Sequence, residues 1–241
     1  MIVLAIDTST LRASVALVQE DPDRAPRVLA ERAGDTARHS DNLLPLIDQV
    51  LADAGRAIAD VEAVAIGAGP GSFTGLRIGM ATAKGLAFSM NVPLWAASSL
   101  AALALDGAAA LAPGAIVVAV LDARRDEIFT GAFRVAAAGT IEPLGAEAVL
   151  APGDLASHLQ ELGVSSTAHI VGDGLAAYAG ELQLAGTLHG DVRATPSAVS
   201  IAQLVLRGDR TDIVHLGAPA YIRKSEAELK FPHGNPGPSG T

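Results

Sequence analysis

Asp7-Thr8-Ser9-Thr10 follows the apolar run Ile2 to Ile6 and precedes a second apolar run, Ser14 to Val18. One carboxylate with neighbouring hydroxyls at a hairpin tip could line a phosphate-binding turn, with Asp122 as a second contact from later in the chain. The same residues make an ordinary polar hairpin tip, and a strand followed by Asp-Thr-Ser is common, so this bland reading is preferred. Gly67-Ala-Gly-Pro-Gly-Ser-Phe-Thr-Gly75 could cradle an anion ahead of a helix. No Lys-Ser/Thr follows its last glycine, and Ser72 stands where a dinucleotide fingerprint needs its third glycine, so neither nucleotide motif is met. A tight turn at Gly69-Pro70-Gly71, with Phe73 plugging the interior, is the preferred role. Asp122-Ala-Arg-Arg-Asp-Glu127 is a charged turn. It either pairs with itself or offers an arginine to a partner, an adenylate or RNA.

Other chemistries lack their residues. There is no cysteine, hence no thiol nucleophile, disulfide or thiolate-held zinc. The six histidines are scattered and form no His-x-x-x-His pair. No Gly-x-Ser-x-Gly elbow supports a serine hydrolase.

The 241 residues are 50% hydrophobic, much of it alanine, and only 3% aromatic. The net charge of −9 argues against a chain that grips a phosphate backbone by itself. The uncharged stretch between Lys84 and Asp106 approaches a membrane span in length, but Asn91-Val92-Pro93 and Ser98-Ser99 interrupt it. A cytoplasmic chain without a signal peptide or membrane association is expected.

The elements that must position these residues follow from the hydrophobic pattern. Ile2–Ile6, Ser14–Val18 and Val28–Ala33 are expected strands. Ser40 is the expected cap of a helix carrying Leu43, Leu44, Ile47, Val50, Leu51 and Ala54, with Pro45 in its early turns and Gly55 at its end. Val61–Gly67 is a fourth strand, and Ala68–Gly75 a loop into a helix that runs through Phe88. Leu94–Ala97 is a short strand, and Ser98 or Ser99 caps the next helix. The order βββαβαβα implies a ribonuclease H-like lobe. Strands at Ala115–Leu121 and Glu127–Val135, a helix over Pro152–Leu162, the strand-to-loop Ile170–Gly174, a helix over Pro196–Leu206 and an extended Ala220-Tyr221-Ile222 loosely repeat the scheme. The expected fold is α/β, with two ribonuclease H-like, actin-like lobes at 1–103 and 104–225, the second reduced, and a disordered tail at 226–241.

Gly75, Gly79, Ala83 and Ala87 recur every four residues and make a stripe almost without side chain. It packs either on the protein's own sheet or against another helix in a dimer.

Gly67-Ala-Gly-Pro-Gly-Ser-Phe-Thr-Gly-Leu-Arg-Ile-Gly79 resembles the signature of the TsaB (YeaZ) family. Leu4–Thr10, His39–Leu46, Val120–Arg124 and Pro219–Arg223 are similar to further family segments and fall in the same order, so the resemblance runs from about residue 1 to 225. It implies an actin-like fold of the ASKHA group. It also implies a non-catalytic platform for the paralogous TsaD in forming N6-threonylcarbamoyladenosine (t6A) beside the tRNA anticodon. TsaC and TsaE would be functional partners, ATP and Mg²⁺ would be used by the other subunits, and tRNA would be met only through the complex. No tightly bound cofactor, metal or catalytic residue is expected in this chain. TsaD holds its metal with two histidines four apart, just after the strand that follows the glycine-loop helix. The matching stretch here, Leu94 to Leu103, has no histidine, carboxylate or cysteine. In actin-like ATPases the Asp7 position approaches Mg²⁺ and phosphate, so Asp7, Thr8, Ser9 and Asp122 would be a vestigial phosphate turn.

The resemblance also favours the dimer face, on Leu43, Leu44, Ile47, Leu51, Gly75, Leu76, Gly79, Met80, Ala83 and Ala87. It would serve TsaD and, when the chain is alone, a second copy. Gly79→Leu is then expected to abolish pairing and leave the fold largely intact. The alternatives are a weak actin-like ATPase using Asp7 and a homodimeric regulator acting without TsaD.

Overall fold

The computed structural model describes residues 1–35, 39–136, 139–164, 167–190, 193–208, 210–215 and 217–220, without the side chains of 35 and 39–42. The expected tail at 226–241 and the extended Tyr221-Ile222 lie outside the described residues.

Three strands open the chain: β1 (Ile2–Asp7), β2 (Arg12–Gln19) and β3 (Arg27–Asp35). After α1 (His39–Asp53), β4 (Ala63–Gly67), α2 (Phe73–Met90) and β5 (Leu94–Ala97) complete a five-stranded sheet of order β3-β2-β1-β4-β5. β1 pairs antiparallel with β2 and parallel with β4, so the sheet is mixed, as the element order implied. Then come α3 (Ser99–Ala108), β6 (Ile116–Arg124), β7 (Glu127–Val135), β8 (Ile141–Pro143), β9 (Ala148–Leu150), α4 (Leu155–Glu161), β10 (Ala168–Val171), α5 (Gly174–Leu182), β11 (Gly186–Leu188) and α6 (Ala198–Arg207). The second sheet has the order β11-β10-β6-β7-β8, with β9 added beside β7. Its path is that of the first sheet repeated, and each half places two helices between its later strands.

β1 is buried on both faces, which is why its sequence is apolar without alternation. Leu4 and Ile6 point into a core shared with Leu43, Ile47, Val50 and Leu51 of α1 and Met80, Ala83 and Ala87 of α2. Val3 and Ala5 point the other way, with Ala16, Ala63 and Ala65, onto Ala198, Ile201, Ala202 and Val205 of α6. The alanine content thus has a structural use, since small side chains on both surfaces let α6 lie close to the sheet. α3 packs mainly on β6 and β7, while α6 returns from the second half to β1, β2, β4 and β5. The last helix of each half therefore covers the sheet of the other half, and the 103/104 division falls within α3.

Asp106 of α3 fixes this exchange. Its half-buried carboxylate accepts from Ser197 N (2.9 Å), Ser197 Oγ (2.7 Å) and Ser200 Oγ (2.7 Å), at the start of α6. Burial raises the Asp106 pKa, and the serine hydrogen bonds pull it back. Beyond α6 the chain runs beside β5: Ile213 N donates to Leu94 O (2.8 Å), and Ala220 N donates to Ala68 O (2.7 Å).

Several local expectations change. α1 begins at His39 and includes Ser40, and Pro45 sits in its second turn, where its missing N–H removes an intrahelical bond. Gly55 does follow the helix, with φ of 61°. α2 starts at Phe73, capped by Ser72 Oγ accepting from Gly75 N (3.3 Å), so Gly75 lies within the helix and not in the loop. Ser98 caps α3 by accepting from Ala101 N (3.0 Å), which leaves Ser99 for another role.

Candidate functional site

The Asp7 turn is built from four segments that meet at the end of β1. Asp7, Thr8, Ser9 and Thr10 are all buried. Asp7 Oδ1 accepts from Ser9 N (2.9 Å) and Ser9 Oγ (2.6 Å), and Oδ2 accepts from Ser99 Oγ (2.6 Å). Ser9 O in turn accepts from Ser72 N (2.6 Å), and Thr8 Oγ1 donates to Gly75 O (2.8 Å). Gly67 lies so close that a Cβ there would overlap the Asp7 carboxylate. Both carboxylate oxygens are thus engaged within the chain, and the glycine loop with the first turn of α2 closes over them. Burial raises the Asp7 pKa, and the Ser9 and Ser99 hydrogen bonds lower it. Ser99, which sequence reasoning considered only as a cap, is an anchor of this turn. The signal was its place after β5, level with the end of β1 once β4 lies between them.

The structure does not join Asp122 to this cluster by any hydrogen bond. It belongs to the β6–β7 hairpin, where Arg124, Arg125 and Asp126 have φ of 64°, 59° and 58°. Such left-handed geometry in non-glycine residues costs about 1–3 kcal/mol each. Local bonds hold it: Asp122 Oδ1 accepts from Arg124 N (2.7 Å), Asp122 Oδ2 pairs with Arg124 Nη1 (2.9 Å), and Asp173 Oδ1 accepts from Asp122 N (2.9 Å). The turn pairs with itself, as two arginines flanked by carboxylates allowed. Its tie to Asp173 was not foreseen, although Gly172-Asp173-Gly174 stood out in the sequence as a strand-to-loop turn.

Asp173 makes this hairpin pH-sensitive. Desolvation raises its pKa to about 6, against the hydrogen bond from Asp122, from a reference of 3.8. The folded state therefore binds the proton more tightly than the unfolded chain. The stabilising contribution is full below about pH 4 and is lost as pH rises through about 6. Asp173→Asn keeps an acceptor for Asp122 N and removes the buried charge. Thermal melts should show the variant about 1–2 kcal/mol more stable than wild type at pH 7.5, with the gain vanishing near pH 4.

The expected dimer residues are placed differently from expectation. Leu43, Ile47, Leu51, Leu76, Met80, Ala83 and Ala87 are buried within this chain, as are Gly75 and Gly79. A Cβ at Gly79 would overlap Thr8 Oγ1. The small-residue stripe is therefore the surface by which α2 lies on its own sheet and on the Asp7 turn, and it is not open to a partner. Of the ten residues only Leu44 is exposed, at 53%. The outer face of α2 carries others: Phe73, Arg77, Ala81, Gly85 and Phe88 are exposed. Phe73 does not plug the interior, because as the first residue of α2 it points outward, where the Arg77 guanidinium lies 3.9 Å from its ring centre. Phe88 is 73% exposed. Helical spacing identified the two helices, but it could not tell which of two small-residue faces turned inward.

Among the described residues no group of three or more His, Asp or Glu is arranged to hold a metal ion. Two of the scattered histidines do meet: His169 Nδ1 lies 2.7 Å from His189 Nε2. Among the described residues no helix is long and apolar enough to cross a membrane.

The chain is 32% identical to an Escherichia coli protein over 236 residues, covering 96% of this chain and 99% of that one. It is 31% identical to a Bacillus subtilis protein, covering 96% and 98%. Both relatives are named tRNA threonylcarbamoyladenosine biosynthesis protein TsaB. The chain belongs to the TsaB (YeaZ) family. A TsaB protein of Haemophilus influenzae is 42% identical over 126 residues, about half of each chain. Residues 34–231 also match the family model described as TsaD, tRNA N6-adenosine threonylcarbamoyltransferase, which agrees with TsaB and TsaD being paralogues. A solved structure of YeaZ from Pseudomonas aeruginosa superposes with a TM-score of 0.69 at 31% identity, covering 85% of this chain and 91% of that one. Another, described as similar to peptidase YeaZ from the same organism, gives 0.76, covering 92% and 99%. The TsaB fold and its two repeated sheets thus agree with the two-lobed α/β expectation.

Proposed function

We propose that this chain is the non-catalytic partner of a TsaD-type transferase in forming t6A in tRNA. The observation that carries the proposal is the outer face of α1 and α2, where Leu44, Phe73 and Phe88 are exposed large hydrophobic residues on neighbouring helices. Such side chains on packed helices offer apolar anchors for a partner. The names of the TsaB relatives supply the pathway, and the match to the TsaD model supports a partner of similar fold. The filled Asp7 turn supports a platform role, because its carboxylate is bonded to Ser9 and Ser99. TsaC and TsaE then act in the same pathway, with ATP and Mg²⁺ handled by the other subunits. A second copy of the chain would compete for the same outer face.

Size-exclusion chromatography with light scattering tests the proposal, on the chain alone and mixed with the TsaD of its own organism. A 1:1 species formed at the expense of a homodimer is expected. No association with or without ATP and Mg²⁺ would sink the partner role.

A further inference from the structure

The chain has 26 acidic and 17 basic residues, yet three arginines converge on one open cavity of about 400 Å³ at the rim of the first sheet. Arg12 enters from the start of β2, Arg32 from β3, and Arg193 with Thr195 from the segment before α6. Glu31 is the one carboxylate residue among the described residues that line it.

Two of the arginines hold carboxylates of the same chain. Arg32 turns to Asp53 of α1, with Nε to Oδ2 at 2.5 Å and Nη2 to Oδ1 at 3.0 Å. Arg193 grips Glu31 through both terminal nitrogens, at 2.6 and 3.3 Å. A guanidinium fork that holds two carboxylate oxygens matches two phosphate oxygens equally well. The Arg193–Glu31 pair is 43% and 23% exposed, and pairs of that kind contribute only ~0–1 kcal/mol. Glu31 is therefore an internal occupant that an incoming phosphate displaces at small cost. The hydroxyl of Thr195 adds a neutral donor at the rim. The N-terminus of α6 does not make this site, since Ser197 and Asp106 already cap it.

We infer that this cavity binds a backbone phosphodiester of RNA, with Arg193 as the fork. The inference rests on the proposed role in tRNA modification. About 400 Å³ admits a phosphate with a flanking ribose, and an open cavity lets a polynucleotide pass through. A single site of this kind on an acidic protein sets the position of the RNA, while most of the affinity comes from the rest of the complex.

The test uses the full chain mixed with the TsaD of its own organism, a labelled short RNA hairpin and fluorescence anisotropy at low salt, with inorganic phosphate as competitor. Arg193→Glu should weaken binding about tenfold or more, and Arg193→Gln should reduce the salt dependence by about one counterion. Glu31→Gln should tighten binding, because the internal competitor loses its charge. Equal affinity of wild type and Arg193→Gln overturns the inference, as does weaker binding by Glu31→Gln or no RNA binding by the wild type. Phosphate binding that depends on Arg193 without RNA binding assigns the cavity to a free anion and overturns the RNA ligand. Co-elution with TsaD is measured on the same variants. Lost RNA binding with intact co-elution concerns the cavity alone, whereas absent co-elution of the wild type overturns the partner role instead.

Discussion

Gly79→Leu should cost this chain about 3–5 kcal/mol of stability, a large part of the ~5–15 kcal/mol typical of a folded domain. The first added carbon overlaps Thr8 Oγ1, so the buried Thr8 would have to move. Overpacking of this kind costs about 1–3 kcal/mol. Moving Thr8 also breaks its buried hydrogen bond to Gly75 O, leaving a buried polar group unsatisfied at a further ~1–3 kcal/mol. A thermal melt should fall by about 10 °C or more. The family resemblance suggested the opposite, an intact fold with lost pairing. A melt equal to wild type would mean that α2 does not lie on the Asp7 turn.

Phe88→Glu should do what Gly79→Leu cannot, namely remove partner binding and spare the fold. Phe88 is 73% exposed near the end of α2, so its replacement should change stability by no more than about 0.5 kcal/mol. An aromatic anchor at the centre of an interface is worth about 2 kcal/mol or more, roughly a thirtyfold loss of affinity. A glutamate adds the cost of burying a charge against TsaD. Titration calorimetry with TsaD should show this loss, and Leu44→Glu on α1 should deepen it. Undiminished affinity in the double variant would place the contact on another surface.

The two variants together separate what the small-residue stripe does from what the outer face does. They also show why a helix with two faces of small residues is ambiguous in sequence. Gly75, Gly79, Ala83 and Ala87 make one stripe, and Ala81 and Gly85 lie on another. Spacing alone identifies both and orients neither. Phe73 misled for the same reason. A phenylalanine beside a glycine loop suggests a core plug, but the helix starts at that residue and turns it to solvent beside Arg77.

The sequence by itself determined the family, the two mixed sheets and most of their strands. The cause is local: β1 and β6 are buried on both faces and therefore read as unbroken apolar runs, and Ser98, Gly55 and Pro93 punctuate the chain through backbone chemistry. The short strands β8, β9 and β11, of three residues each, were not legible because they hold too few residues to show a period. Only the tertiary structure decided what Asp7 is bonded to, that Asp173 props the second hairpin, that α3 and α6 exchange sheets, and that Arg12, Arg32 and Arg193 share a cavity. Each of these depends on side chains far apart in the chain, from Asp7 to Ser99 and from Glu31 to Arg193. Their meeting is set by strand order and helix crossing, which no local pattern of residues records.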